Sequence, residues 1–332
     1  MRLRRDGPIE VKSPAQLAIM REAGLVTAAA LRAAAAAVEP GISTAELNAI
    51  AEREIRSAGA LPSFQGYHGY PATICTSVND QVVHGIPDAA QVLSAGDIIS
   101  IDCGAIVGGW HGDSALTIAV GQVEAGGARH AAYSQDELDG LLGACERALW
   151  HGLAQAVPGR RLTDISHAVE QAVRAAGRYG IVREYTGHGI GSKMHMEPAV
   201  PNYGRAGRGP VLTAGMALAI EPMLVLGGHQ TRQLDDGWTV VSADGSWAAH
   251  FEHTVAITDD GPFVLTAEDG GACGLAALRA GRPAVLAEQS GRAGHAVPTG
   301  QTVLDAQPVS AGPTRAAMQR RTLDVVGGRD GI

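Results

Sequence analysis

Aromatic residues and lysines are scarce in this chain of 332 residues: Phe, Tyr and Trp make up 4 %, and the only lysines are Lys12 and Lys193. A buried carboxylate therefore has few amines with which to pair. The cysteines, Cys75, Cys103, Cys145 and Cys273, lie far apart and form no Cys-x-x-Cys pair. That spacing argues against a zinc–thiolate site and a disulfide framework, and makes a reducing cytoplasm the expected compartment. No basic run exceeds two residues, as at Arg4-Arg5 and Arg320-Arg321, and 26 Lys and Arg against 34 Asp and Glu leave a formal charge of −8. Tight nucleic-acid binding and attraction to acidic membranes are not expected of such a chain. Its most apolar stretch, residues 28–38, is broken by Arg32, so no run reaches the roughly 18 apolar residues of a spanning helix. The charged residues 1–6 lead into Gly7-Pro8 and a polar segment, so no secretion signal is expected. Apolar material, by contrast, is ample: 45 % of residues are hydrophobic, enough for a sizeable core.

Ser13-Pro-Ala-Gln16 combines an N-cap serine, proline at the first helical position and glutamine three residues on, predicting a helix that runs to Val38 before Pro40-Gly41 stops it. A second helix is expected from about 44 to 58, ended by Gly59. The alanine-rich stretch 28–38 implies close packing against another element. A shift of 118 residues lays Pro40-Gly41 on Pro158-Gly159, Glu52 on Glu170, Arg56 on Arg174 and Ala58-Gly59 on Ala176-Gly177 without a gap. Two halves share one plan, and the long first helix has its counterpart over 136–156. Residues 97–120 read as a hairpin about Gly108-Gly109, 215–227 as one long strand, and 247–266 as a hairpin about Asp259-Asp260-Gly261. The expected fold is α+β, with an N-terminal arm at 1–12 and a folded domain at 13–266. Residues 267–332 contain no Phe, Trp or Tyr and read as a disordered tail.

With Gly108 and Gly109 as loop residues, Asp113 faces Gly104 and Asp102 faces Ala115, making the two aspartates diagonal neighbours on one face. Their Cα atoms are then roughly 7–8 Å apart. Such a pair can hold two ions, with Gly104 leaving room for them; alternatively the aspartates are solvated side chains beside a turn. His188 and His195 lie in a glycine-rich segment, 187–198, expected to be a loop. Glu221 and Glu252 are each set in an apolar strand, where a carboxylate is costly unless it is paired or binds metal. Together these oxygen and imidazole donors suit Mn, Fe, Co or Zn. Two such ions, held about 3.5–4 Å apart by bridging carboxylates, generate hydroxide near neutral pH, as in metallo-aminopeptidases.

His84-Gly-Ile-Pro87, Ile101-Asp102, His111-Gly-Asp113-Ser114, Gly187-His188-Gly-Ile-Gly191, His195, Ile220-Glu221-Pro222 and Phe251-Glu252-His253-Thr254 resemble, in order and spacing, the motif series of the type I methionine aminopeptidases. The resemblance covers roughly residues 12–266. It implies the pita-bread fold, two pseudo-symmetric halves around an antiparallel sheet, and removal of the initiator methionine from nascent proteins when the second residue is small. It implies two divalent ions (Co, Mn, Fe or Zn), with Asp102 on one, His188 and Glu221 on the other, and Asp113 and Glu252 bridging. It also implies Glu221 as the base, His84 and His195 as catalytic histidines bonded to the substrate peptide, and a methionine pocket of Tyr67, Tyr70, Cys75 and Trp238, with Phe64 and Met194 nearby. The chain departs from the pattern at Met194, where phenylalanine is common, at Phe64, where cysteine is common, and at Met196, where an acidic residue is usual. Its expected partners are the N-termini of nascent chains, met at the ribosome, and a monomer is expected. Prolidase and aminopeptidase P share the five ligands but carry an extra N-terminal domain, whereas 83 residues precede His84 here. The remaining alternative is a non-catalytic binding protein of the same fold, in which ligands would be missing.

Overall fold

Four capped helices frame the molecule. In the computed structural model, which describes residues 8–121 and 133–280, α1 (Pro14–Ala36) begins with the capping box expected at Ser13 and Gln16. α2 (Thr44–Ser57) uses Ser43 and Glu46, and α3 (Gln135–Leu153) uses Ser134 and Glu137 in the same way. α4 (Leu162–Ala176) lies 118–119 residues after α2. The repeat extends to the hydrogen bonds at each helix entry. The Gly41 N–H donates to Leu93 O and the Leu93 N–H to Ile42 O, while the Gly159 N–H donates to Leu212 O and the Leu212 N–H to Arg160 O.

Between the helix pairs run β1 (Leu61–Pro62), β2 (Ile74–Val78), β3 (Gln81–Val83), β4 (Ile98–Val107) and β5 (Trp110–Ala119). After α4 come β6 (Gly180–Ile181), β7 (Gly187–Gly189), β8 (Met196–Val200), β9 (Ala217–Ile220), β10 (Met223–Val225), β11 (Thr231–Gln233), β12 (Val240–Ser242), β13 (Ala248–His250), β14 (Glu252–Thr258) and β15 (Gly261–Val264). One nine-stranded antiparallel sheet has the order β1-β4-β5-β14-β9-β7-β8, with β2 also on β4 and β15 on β14. The halves of the molecule join where β5 meets β14. Two small sheets, β13-β10-β6 and β11-β12-β3, complete the α+β architecture.

The helices bury one side of the sheet. Leu47, Ile55, Leu141 and Ile165 from the helices and Ile99, Ile101, Leu218, Ile220 and Val255 from the strands are fully buried in one cluster. Of the alanine-rich stretch, Ala30, Ala34 and Ala35 are buried in that cluster; the closest approach of α1 to β5 lies before it, where a Cβ on Gly112 would stand 2.6 Å from the Gly24 nitrogen. No side chain fits between the two backbones.

Several expectations need correction. Residues 215–227 are two strands, β9 and β10, in different sheets. The chain breaks between them at Glu221-Pro222, because proline cannot donate to a continuing ladder. Likewise β13 joins a small sheet, so the last hairpin starts at Glu252 rather than 247. The segment 187–198 is not merely a loop, since its ends form β7 and β8 in the main sheet. Its glycines serve close backbone packing: a Cβ on Gly189 would lie 2.1 Å from Glu197 O. The described end of the arm, residues 8–12, is tied to the domain. Lys12 N–H donates to Gly215 O at 2.8 Å, and the Glu10 carboxylate accepts from the Ser192 hydroxyl. Order also continues past 266, where α5 (Ala272–Arg279) packs on α3 and the Arg21 guanidinium donates to four carbonyls between Val264 and Glu268. Composition alone missed this because Trp150 and Arg21, outside the segment, supply what it lacks. Residues 281–332 of the expected tail lie outside the described residues.

Candidate active site

The β4–β5 hairpin has the register expected, Gly104 facing Asp113 and Asp102 facing Ala115. β14 then pairs Glu252 with Ala115, so Asp102, Ala115 and Glu252 stand in one row across three strands. Directly opposed residues share a face, and alanine in the middle leaves space between the two carboxylates. Gly104 has another purpose: a Cβ there would meet Ser63 Cβ at 2.8 Å and the Phe64 ring at 3.0 Å. The glycine admits the 63–64 segment; it does not make room for ions.

Beyond His253 the ladder between β5 and β14 gives way to side-chain bonds. Asp113 N–H donates to Thr254 Oγ1, whose hydroxyl donates to Asp113 O. His188 and Glu221 enter from β7 and from the break after β9. The His188 Nε2 lies 3.4 Å from a Glu221 oxygen and 3.9 Å from an Asp113 oxygen. Its Nδ1 is 3.0 Å from Gly189 O. A carbonyl only accepts, so Nδ1 carries the proton and Nε2 turns a lone pair toward the carboxylates.

The residues present fit a divalent cation. Asp102 Oδ1, Asp113 Oδ1 and Glu252 Oε1 are buried without a hydrogen-bond partner, although such atoms are almost always paired in native proteins. Burial pushes the Asp102 carboxyl up to about 7. Burial and the neighbouring carboxylates push Asp113, Glu221 and Glu252 well above the usual range. Among the described residues, the ionic partners within 4 Å of these groups are imidazoles, which burial keeps neutral; His188 is pulled down to about 4. Converging oxygens facing an imidazole lone pair repel one another unless a cation lies between them.

Every residue expected at the site lines one cavity with the carboxylates: His84, His195, Tyr67, Tyr70, Cys75, Phe64, Met194 and Trp238. His195 Nδ1 is 3.0 Å from the Tyr67 hydroxyl, and its ring lies 4.3 Å from that of His188, centroid to centroid. His84 is held with φ of 61°, a backbone strain that tends to mark functional positions. Burial lowers it to about 4, so it is neutral at pH 7. Tyr70 spends its hydroxyl on Ile74 O and Gly85 O, which braces the segment carrying His84, and its ring meets Trp238 edge-on. His111 and His253 belong to motifs but not to the centre: His111 bonds Ser63, and His253 bonds Thr266 beside the Trp150 ring.

One residue escaped the sequence reading. His250 is 2 % exposed and lines the same cavity, with Nε2 3.7 Å from Glu221 and 3.9 Å from Glu252. Its place two residues before Glu252 gave no signal, because the strand breaks at Phe251 and the two residues belong to different sheets.

Residues 18–259 match the model of metallopeptidase family M24, whose name implies a metal-dependent peptidase. Over 270 residues the chain is 54 % identical to methionine aminopeptidase 1 of Mycobacterium tuberculosis, covering 80 % of this chain and 97 % of that one. To methionine aminopeptidase 1 of Bacillus subtilis it is 48 % identical over 255 residues, covering 77 % and 98 %. The crystal structure of methionine aminopeptidase from Thermotoga maritima superposes with a TM-score of 0.74 at 38 % identity, covering 79 % of this chain and all of that one. The prolidase of Pyrococcus furiosus, at 22 % identity and a TM-score of 0.57, shares the fold. The chain belongs to metallopeptidase family M24 and, within it, to the methionine aminopeptidases.

Proposed function

We propose that this chain removes the initiator methionine from nascent proteins whose second residue is small, in the cytoplasm at the ribosome and as a monomer. The observation that carries the reading is the set of buried carboxylate oxygens without partners, facing His188 in a cavity lined by aromatic rings and sulfur. Two divalent ions (Co, Mn, Fe or Zn), held by Asp102, Asp113, His188, Glu221 and Glu252, would supply a hydroxide near neutral pH and polarise the scissile carbonyl.

The chain's own groups do the rest. Glu221, whose carboxylate is made more basic by burial and by Asp102 and Asp113 beside it, takes the proton of the attacking water in its ionised form and later passes it to the leaving amine. His195, fixed through Nδ1 by Tyr67, and His84 donate to the oxygen on which charge develops, where such bonds act most strongly. Cys75, Tyr70, Trp238, Met194, Phe64 and Tyr67 enclose the methionine side chain, and sulfur–aromatic contacts of about 0.3–1.5 kcal/mol each favour a thioether. A bulky second residue would push the carbonyl off centre, and a misplacement of about 1 Å can cost roughly 10²-fold in rate.

The test is a panel of Met-X-Gly peptides with Gly-Pro-Leu beside it. X as Ala, Ser, Gly, Thr, Cys, Pro or Val should be cut, and Lys or Leu hardly at all. Equal rates for Ala and Lys would refute the crowding argument. Preference for proline without a demand for methionine would favour the prolidase-like alternative.

A further inference from the structure

His250 is held rigidly. Its backbone N–H donates to Thr117 Oγ1 at 2.8 Å, its carbonyl accepts from the same hydroxyl at 2.9 Å, and Ser100 bonds Thr117 behind it. These bonds hold the backbone of the strand that carries the imidazole beside Glu221. Glu221 Oε1 faces the Nε2 of His188, and Glu221 Oε2 faces the Nε2 of His250. Nε2 of His250 is buried and has no hydrogen-bond partner. At 3.7 and 3.9 Å from the two glutamates it is too far for a hydrogen bond, which needs about 2.7–3.2 Å. Two donors each about 2.0–2.2 Å from a shared ion, however, stand roughly 3–4 Å apart. Ligand atoms of Glu221, His250 and Glu252 all lie within 4.8 Å of one another, and those of Asp113, His188 and Glu252 do the same.

We propose that His250 is a sixth protein ligand of the metal centre, offering its Nε2 beside the carboxylates of Glu221 and Glu252. The inference rests on the metallopeptidase reading above. An added imidazole suits borderline ions such as Co and Zn better than hard Mn, which prefers oxygen donors. His250 thus biases the centre toward the softer metals.

The test follows binding rather than turnover. Protein stripped of metal and labelled with ¹⁵N-histidine is titrated with Zn²⁺, and the ring nitrogens are observed by NMR. Two imidazoles, His188 and His250, should shift their Nε2 resonances as the metal binds. A shift of His188 alone overturns the proposal, and it does so on the unmutated protein. In parallel, His250→Gln should lose about tenfold or more in affinity for Co²⁺ by calorimetry while changing little toward Mn²⁺. Equal losses for the two metals, or none for Co²⁺, also overturn it. Glu252→Gln separates the two levels of argument: if that variant binds Co²⁺ as tightly as the unmutated chain, the metal centre itself is misread.

Discussion

Asp102, inside β4, and Glu221, the residue that follows β9, stand at equivalent positions of the two halves, 119 residues apart. The Gly96 N–H donates to Val120 O and the Val120 N–H to Asp97 O, and 119 residues after Gly96 and Asp97 the Gly215 N–H donates to Ile257 O and the Ile257 N–H to Met216 O. β4 and β9 therefore start alike and carry one carboxylate each to the middle of the sheet. The halves differ in the partner strand, where Asp102 faces Ala115 while Glu252 follows the register of β14 on β9 to stand across from Glu221. Duplication supplies the two-sided site, and the unequal partners make its two sides chemically distinct.

Removal of Asp113 or Glu252, the two carboxylates proposed to bridge the ions, should empty the centre. Glu252→Ala and Asp113→Ala are each expected to lower bound metal by elemental analysis and to reduce kcat/KM by about 10³-fold or more, since the ion provides most of the charge stabilisation. Full activity of the unmutated enzyme held in chelator would contradict this.

His84 and His195, proposed to bond the substrate rather than the metal, should behave differently. His84→Ala and His195→Ala are expected to keep their metal yet lose about 10²–10³-fold in kcat. Tyr67→Phe removes the bond that fixes His195 and should cost about tenfold or less. Loss of metal in either histidine variant would place that residue among the ligands.

Apoprotein stability should fall as pH rises from about 6.5 to 8.5. Asp102, Asp113, Glu221 and Glu252 have folded pKa values above their unfolded ones. The fold therefore binds more protons than the unfolded chain, and stability present at low pH is lost as pH climbs through the folded values. Histidines lowered by burial, among them His84, His111, His188, His195, His250 and His253, act in the opposite sense, mostly below about pH 7, while the buried Cys75 and Cys103 thiols, which are raised, add to the decline at its upper end. Melting temperatures of the apoprotein against pH should show the decline, saturating Mn²⁺ should abolish it, and Asp102→Asn should flatten it.

The C-terminal boundary can be found by truncation. A chain ending after Arg279 should melt within a degree or two of the full chain. One ending after Glu268 loses α5, whose Gly274 lies so close to the Trp150 ring that a Cβ there would stand 2.4 Å away. It should melt several degrees lower, at roughly 2–4 °C per kcal/mol lost. Equal melting of both would show that α5 adds nothing to stability.

Local signals alone determined much of this protein. The caps at Ser13, Ser43 and Ser134, the glycine turn at 108–109 and the opposition of Asp102 to Ala115 follow from short-range rules, because a helix cap and a two-residue turn leave little freedom of register. The repeat of 118 residues was visible for the same reason, since each half must satisfy the same Pro-Gly entry and glycine exit. Tertiary structure decided what depends on distant backbone. Gly104 and Gly189 read as space or looseness in the sequence, whereas each admits a strand or loop brought up from far along the chain. The break at Glu221-Pro222, which sends β9 and β10 into separate sheets, turns Glu221 into the cavity. His250 became part of the site only when β13 crossed to Thr117 of the other half. A side chain's sequence neighbours say which face it shares, but only the packing of the two halves says what stands opposite.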